Sequence, residues 1–348
     1  MSVRLAVMGA GLIGREHIRL ILGEPRATLA GIADPAPEAA RLAAGIGAAH
    51  FAGFEQMLDE TRPDGCIVAL PNRLHLAAGL ACIARRVPCL IEKPVADTVG
   101  AARELVEASE AAGVPVLVGH HRRHSPDIRA ARQAIRDGAI GRLVAVNGMW
   151  LMDKPDAYFS AEWRRQPGGG PLLLNLIHDI DCLRFIVGEI DSVRAFASSA
   201  VRGFEVEETA SVALRFSNGV LGTFLISDAV ASPFGWDVAS GQALYIPHQR
   251  TDCYWFGGRT GSLAVPSMTL WRHAEPGQSW QDPLVRESIG LDGSRAYPNQ
   301  LEHFLAVIAG ESEPVVSARE GMMTLAATLA VELAAREDRT VAVAEMIT

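Results

Sequence analysis

Short apolar runs alternate with amphipathic stretches through the first third of the chain. Strands are predicted at Val3–Met8, Thr28–Ala33, Gly65–Leu70, Val87–Ile91 and Pro115–Gly119. Helical patterns fall between them, at Leu12–Leu22, Pro37–Ala44, Phe54–Glu60, Leu74–Ala84 and Val99–Ala112. Four of these helices open near a cap or breaker: Gly11, Pro37, Asn72 and Thr98. Such alternation predicts an α/β unit with a parallel sheet covered on both faces. Ligands then lie beyond the carboxyl ends of the strands.

The pattern changes near Ser125. A helix, Ile128–Arg136, stops at Asp137-Gly138, and strand-like segments follow at Arg142–Met152, Ser192–Val201, Thr209–Phe216 and Val220–Ser227. Ser217-Asn218-Gly219 marks a hairpin turn between the last two. Weaker strands are expected at Ala243–Ile246, Asp252–Phe256, Ser262–Val265 and Thr269–Arg272, within an irregular stretch from Ala231 to Pro298. Helices are expected at Leu172–Val187, Asn299–Ala309 and Ala318–Arg336. This half reads as an open, mostly antiparallel sheet with helices on one face. An apolar face left uncovered would be buried against another subunit, which predicts a homodimer or homotetramer.

The first strand ends in glycines at 9, 11 and 14, and Asp34 closes the second strand. Gly9 permits a tight turn, Gly11 lets backbone approach a pyrophosphate, and Gly14 allows close helix–sheet packing. Phosphates would sit on the N-terminal end of the following helix. Asp34 is placed to accept hydrogen bonds from an adenosine ribose. Its charge repels a 2′-phosphate and Pro35-Ala36-Pro37 offers no arginine, so NAD is favoured over NADP. Leu12, Ile13, Pro35 and Leu70 flank these groups and are counted as cofactor contacts.

At 348 residues the chain exceeds one typical core, so two domains are expected. The formal net charge of −8 argues against a nucleic-acid or anionic-membrane surface. The five cysteines (66, 82, 89, 182 and 253) form no C-x-x-C pair. They read as reduced, mostly buried thiols, and no metal is expected. With no leader pattern and no apolar run of about 20 residues, a cytoplasmic location is expected.

Three further motifs fall at strand ends in the first third: Leu70–His75, Glu92-Lys93-Pro94 and Gly119–His124. Pro94 forces Lys93 away from helical backbone and fixes its direction, which makes it a catalytic candidate. In the second half, Gly168-Gly169-Gly170-Pro171 leads into a segment carrying His178, Asp179 and Asp181. An imidazole is the side chain best suited to proton exchange at neutral pH, although a lone histidine is more commonly a satisfied core residue. Two basic clusters, His120–His124 and Arg164-Arg165, are either solvated charge or a binding site for an anionic substrate group.

Taken together, Gly-x-Gly-x-x-Gly with Asp34, Pro71-Asn72-x-x-His75, Glu92-Lys93-Pro94, Gly119-x-x-Arg122-Arg123, Trp163-Arg164, Gly168–Gly170 and His178-x-x-Asp181 occur in order. The chain resembles the Gfo/Idh/MocA oxidoreductases over nearly its whole length. The resemblance implies a Rossmann NAD-binding domain over residues 1–122. It also implies a substrate-binding and oligomerisation domain over 123–348, together an NAD(P)-dependent dehydrogenase of CH–OH groups on a sugar, polyol or sugar-acid-like molecule. By motif, Lys93 would touch the reacting hydroxyl and His178 would carry the proton. Asn72, His75 and Glu92 would line the nicotinamide end, with Trp163 and Arg164 reaching the cofactor.

His121, Arg122, Arg123, Asn175 and Asp181 are the expected substrate contacts. Two departures stand out. Leu174 occupies a position that is often acidic in the family, with Asn175 beside it, and His121 replaces a common asparagine. Two alternatives accompany the dehydrogenase reading. One is an NAD-retaining glycosidase or elimination enzyme of the same family; the other is a non-catalytic NAD-binding sensor.

Overall fold

The computed structural model describes residues 2–275 and 277–347. Its first unit comprises the chain up to His121 together with Tyr297–Leu325. There β1 (Val3–Met8), α1 (Leu12–Gly23), β2 (Ala27–Ala33), α2 (Pro37–Ile46), β3 (His50–Phe51) and α3 (Phe54–Thr61) lead to β4 (Gly65–Val68), α4 (His75–Ala84), β5 (Cys89–Ile91), α5 (Val99–Ala112) and β6 (Val116–Val118). All strand pairs are parallel, in the order β3-β2-β1-β4-β5-β6. The central strands are wholly buried, as a sheet covered on both faces requires: Leu5–Met8, Cys66–Val68 and Cys89–Ile91 are all inaccessible. The order reverses between β1 and β4, so a crevice opens there beyond the strand ends.

The second unit holds Arg122–Ala296 and the chain from Ala326 onward. It runs through α6 (Pro126–Arg136), β7 (Leu143–Leu151), α7 (Ile177–Val187), β8 (Ile190–Ser198), β9 (Thr209–Phe216), β10 (Leu221–Ser227) and α8 (Trp236–Ala239). It continues with β11 (Tyr254–Gly258), β12 (Gly261–Val265), β13 (Thr269–His273) and β14 (Leu284–Ser288). The chain then forms α9 (Ala296–Ile308), which belongs to the first unit apart from its opening residue, and α10 (Ala318–Glu337), whose first turns do. Its last strand is β15 (Val341–Ala342), followed by a 3-10 turn at Val343–Met346. The nine strands form one sheet in which every pair is antiparallel except β7 with β10.

Strict alternation builds this sheet. Along β9, Ala210, Val212, Leu214 and Phe216 are buried while Ser211, Ala213 and Arg215 are exposed. Each large apolar side chain buried in this way contributes roughly 1.5–3 kcal/mol. The opposite face keeps Phe196, Leu221 and Leu225 exposed.

The segment Ala243–Ile246 forms no strand. Gly241 and Pro247 bracket it, and Ile246 N–H donates to Ala243 O at 3.1 Å, closing a turn. Conversely, β14 has no sequence signature because all five of its residues are exposed. All five cysteines are buried and reduced. Among the described residues, no helix is long and apolar enough to cross a membrane.

Candidate functional site

In the first unit the glycine turn is built by close approach. Gly9 has φ +91°, and a Cβ there would lie 2.3 Å from Ala69 O; one on Gly14 would lie 2.0 Å from Gly9 O. Gly11 differs, because a Cβ there would meet nothing within 4 Å. Its neighbour Leu12 is 93% exposed at the start of α1, and no side chain caps that helix. An open surface of uncapped N–H groups is the arrangement an anion requires. Asp34 braces the turn: Ala10 N–H donates to Oδ2 at 2.7 Å and Ala36 N–H to Oδ1 at 2.8 Å. A carboxylate has about four acceptor positions, so both oxygens keep capacity for ribose hydroxyls. Pro35 beside it is exposed. These residues fit a dinucleotide.

Beyond the ends of β4 and β5 lie the two motifs expected to reach the nicotinamide. Val68 pairs with Ile91, which places Glu92 and Lys93 directly past the sheet. Lys93 is half-buried and its peptide to Pro94 is cis; Leu70 and Asn72, past the end of β4, are half-buried as well. His75, by contrast, is buried. Its Nδ1 lies 2.8 Å from Pro94 O and its Nε2 2.8 Å from Leu70 O. Burial lowers its pKa against the pull of the two carbonyls. The ring therefore lies between the Leu70 loop and the Lys93–Pro94 loop, with each nitrogen within hydrogen-bond distance of a carbonyl oxygen.

Glu92 is buried as well, and its Oε1 lies 2.7 Å from His17 Nε2. Burial pushes its carboxyl pKa up, but the His17 hydrogen bond, the His17 charge and Lys93 outweigh this and leave it below the ordinary carboxylate value. Sequence reasoning passed over His17. The usable signal was its place with Gly14, Ile18 and Ile21 on the buried face of α1. His121 is buried too, stacked on Tyr297 at 4.3 Å and 9°.

In the second unit, residues Leu172–Leu176 form a π-helical turn that runs into α7. Such turns are rare and recur at functional sites. His178 lies in the first turn of α7 and is buried. Asn175, just before it, accepts a hydrogen bond from Lys154 Nζ at 2.8 Å. Lys154 also pairs with Asp228 at 3.2 Å, and burial lowers its pKa. Sequence reasoning missed Lys154, although Asp153-Lys154-Pro155 carries the same pre-proline signature as Glu92-Lys93-Pro94. The glycine loop serves packing: a Cβ on Gly169 would lie 2.3 Å from Trp163 O, and one on Gly170 2.2 Å from Glu207 Oε1. Glu207 in turn accepts Leu172 N–H at 3.0 Å, an N-terminal cap supplied from elsewhere in the chain. Trp163 is 52% exposed, and Arg164 lies over the Tyr158 ring at 3.8 Å.

The arginines offered to an anionic substrate are occupied within the chain. Arg122 is fully buried, donates to Asp179 at 2.8 Å and Asp237 at 3.0 Å, and lies over the Trp236 ring at 4.7 Å. Tyr254 OH also donates to Asp179, and burial raises the Asp179 carboxyl pKa to about 6 against the pull of Arg122. Arg123 engages Asp181 through two bonds. Asp181, expected to contact substrate, is thus the internal counter-ion of Arg123. Sequence spacing gave no sign of Asp237 or Tyr254.

Fold and site together define a dinucleotide-dependent oxidoreductase. Residues 3–120 match the oxidoreductase family with an NAD-binding Rossmann fold, and residues 128–262 match the GFO/IDH/MocA C-terminal domain. The chain belongs to the Gfo/Idh/MocA oxidoreductases, and its first unit carries that family's NAD-binding domain. It is 30% identical to 1,5-anhydro-D-fructose reductase of Ensifer adhaerens, over 95% of this chain and 96% of that one. Inositol 2-dehydrogenase of Rhizobium meliloti is 26% identical over 99% and 100%. The WlbA dehydrogenase of Bordetella pertussis, solved with NADH and UDP-GlcNAcA, shares the fold with a TM-score of 0.79 at 24% identity, covering 98% and 99%.

Proposed function

We propose that the protein oxidises a ring or chain hydroxyl of a sugar, polyol or related molecule to a ketone, reversibly. The observation that carries this reading is the position of Glu92-Lys93-Pro94 past the end of β5, on the strand edge that also holds Gly9, Gly11, Gly14 and Asp34. The relatives named above, a reductase of an anhydro sugar and an inositol dehydrogenase, support the substrate class.

Bound NAD supplies the hydride acceptor. Lys93, as ammonium, donates a hydrogen bond to the reacting oxygen and stabilises the alkoxide that develops there. His178 accepts the hydroxyl proton through its ring. Asn175 lies beside Leu174, the position where many family members carry an acid. It serves as a neutral hydrogen-bonding group held by Lys154, since an amide cannot act as a base at neutral pH. Because Asp179, Asp237 and Asp181 occupy Arg122 and Arg123, these arginines hold the site's framework and do not bind substrate.

The test is NADH appearance with NAD over myo-inositol, D-glucose, D-gluconate and levoglucosan, and NADH consumption with 1,5-anhydro-D-fructose. Lys93→Met and His178→Ala are each expected to lower turnover roughly 10²–10³-fold with NADH affinity retained. Normal turnover in either variant overturns that role. We also propose that the exposed Phe196, Leu221 and Leu225 of the open sheet face meet a second copy of the chain. Light scattering showing a monomer that tolerates Leu221→Glu unchanged refutes this.

A further inference from the structure

Lys93 carries the proposed chemistry on an irregular segment, and contacts from outside that segment add to the restriction that Pro94 places on its backbone. Two buried histidines hold that loop from opposite sides in sequence. His75 lies within hydrogen-bond distance of Pro94 O on its downstream side, as described above. Upstream, the Glu92 carboxylate makes two separate contacts. Its Oε2 accepts the backbone N–H of Lys93 at 3.3 Å, and its Oε1 meets His17 Nε2 at 2.7 Å.

Gly119, directly after β6, leaves room for this arrangement. A Cβ on Gly119 would lie 2.9 Å from the Glu92 carboxyl carbon and 3.0 Å from its Cα. Tyr297 of α9 then meets the His17 ring edge-on, with centroids 6.1 Å apart. A buried carboxylate with no hydrogen-bonding partner costs far more than packing alone can return, so a carboxylate at this position requires a donor. Beside the Lys93 N–H, His17 supplies a donor, and it sits on the helix whose N-terminus is expected to receive the cofactor's phosphates.

We infer that His17 is a positioning residue of the reaction: through Glu92 it fixes the Lys93 backbone relative to the glycine turn of the same unit. The inference rests on the role proposed for Lys93. It goes beyond that role in assigning a function to α1 other than phosphate binding. A catalytic group displaced by about 1 Å loses roughly a hundredfold in rate, so the brace acts on turnover and not on cofactor affinity.

The experiment compares His17→Ala, His17→Gln and Lys93→Met as full-length proteins with NAD, on whichever compound of the panel above is turned over best. Three quantities are read: kcat, NADH affinity by fluorescence, and the rate at which trinitrobenzenesulfonate labels Lys93, followed by peptide mass spectrometry. Glutamine places an N–H donor near the position of the imidazole Nε2, so it keeps the bond to Glu92 without the ring.

For His17→Ala, kcat is expected to fall about ten- to a hundredfold, with NADH affinity within twofold of the parent and Lys93 labelling altered. His17→Gln is expected to restore most of both. Unchanged turnover and labelling in His17→Ala, while Lys93→Met is inactive, overturns the inference. So does a loss in His17→Ala that weakens NADH binding in proportion and is not restored by glutamine, since that marks a purely structural residue. Full activity in Lys93→Met removes the proposed role of Lys93 instead; the labelling rate then decides alone whether His17 positions that side chain.

Discussion

Arg123 grips Asp181 with a two-bond fork, Nε to Oδ2 at 2.8 Å and Nη2 to Oδ1 at 2.7 Å, and water reaches neither side chain to any extent. Removing one partner strands the other charge in the interior. Asp181→Ala is expected to cost about 3–5 kcal/mol of stability, read as a lowered urea midpoint. Arg123→Lys keeps the charge but loses the planar fork, so its loss is smaller. A midpoint unmoved by Asp181→Ala contradicts this account.

The three turn glycines separate fold from ligand. Gly9→Ala and Gly14→Ala drive a methyl group into backbone oxygens at 2.3 and 2.0 Å, so both lower the melting temperature and abolish NAD binding together. Gly11→Ala meets nothing within 4 Å and has φ −68°, which alanine adopts freely. It is expected to melt with the parent yet bind NAD at least about tenfold more weakly, a difference near 1.4 kcal/mol. Calorimetric titration against NAD, set beside the melting curves, checks the contrast.

The Asp34 carboxylate is expected to set cofactor choice by its charge. Asp34→Asn keeps the shape of the side chain and one acceptor for the turn, but removes the repulsion of a 2′-phosphate. The ratio of kcat/KM for NAD to that for NADP is expected to fall about tenfold or more. An unaltered ratio would show that some other group reads the ribose.

Glu332 on α10 and Glu207 raise a question of pH. Burial, then the nearby Glu207, lift the Glu332 carboxyl pKa from 4.5 to about 7, with Arg336 opposing. The folded value lies above the unfolded one, so the stability it contributes is complete below about pH 4.5 and is lost as pH rises through about 7. Glu332→Gln is expected to be more stable than the parent at pH 8, on the order of 1–3 kcal/mol, with the difference shrinking toward pH 5. Urea midpoints of both proteins across that range decide it.

Much of the site was legible because its signals are local. Gly9, Gly11, Gly14 and Asp34 report backbone geometry within one βαβ unit, and Lys93 before Pro94 reports its own dihedral restriction. The alternation along Thr209–Phe216 announces a half-buried strand within eight residues. Where local signals failed, the reasons are physical. The segment Ala243–Ile246 has strand-like composition, but flanking Gly241 and Pro247 turn it. The exposed strand Leu284–Ser288 shows no alternation because neither face is buried. The dyad of His17 and Glu92 went unread because its members lie 75 positions apart.

The sequence by itself determined the succession of elements, the glycine turn with its acid, and the chemical groups available at each strand end, since each depends on dihedral preferences and periodicity within a few residues. Only the tertiary structure decided which charge meets which. Arg122 and Arg123 look from sequence like anion binders, and it is folding over separations of 57 residues to Asp179 and 58 to Asp181 that makes them internal counter-ions. A guanidinium leaves water only where a carboxylate replaces the lost hydration, and which carboxylate arrives is set by chain topology, not by anything the neighbouring residues encode.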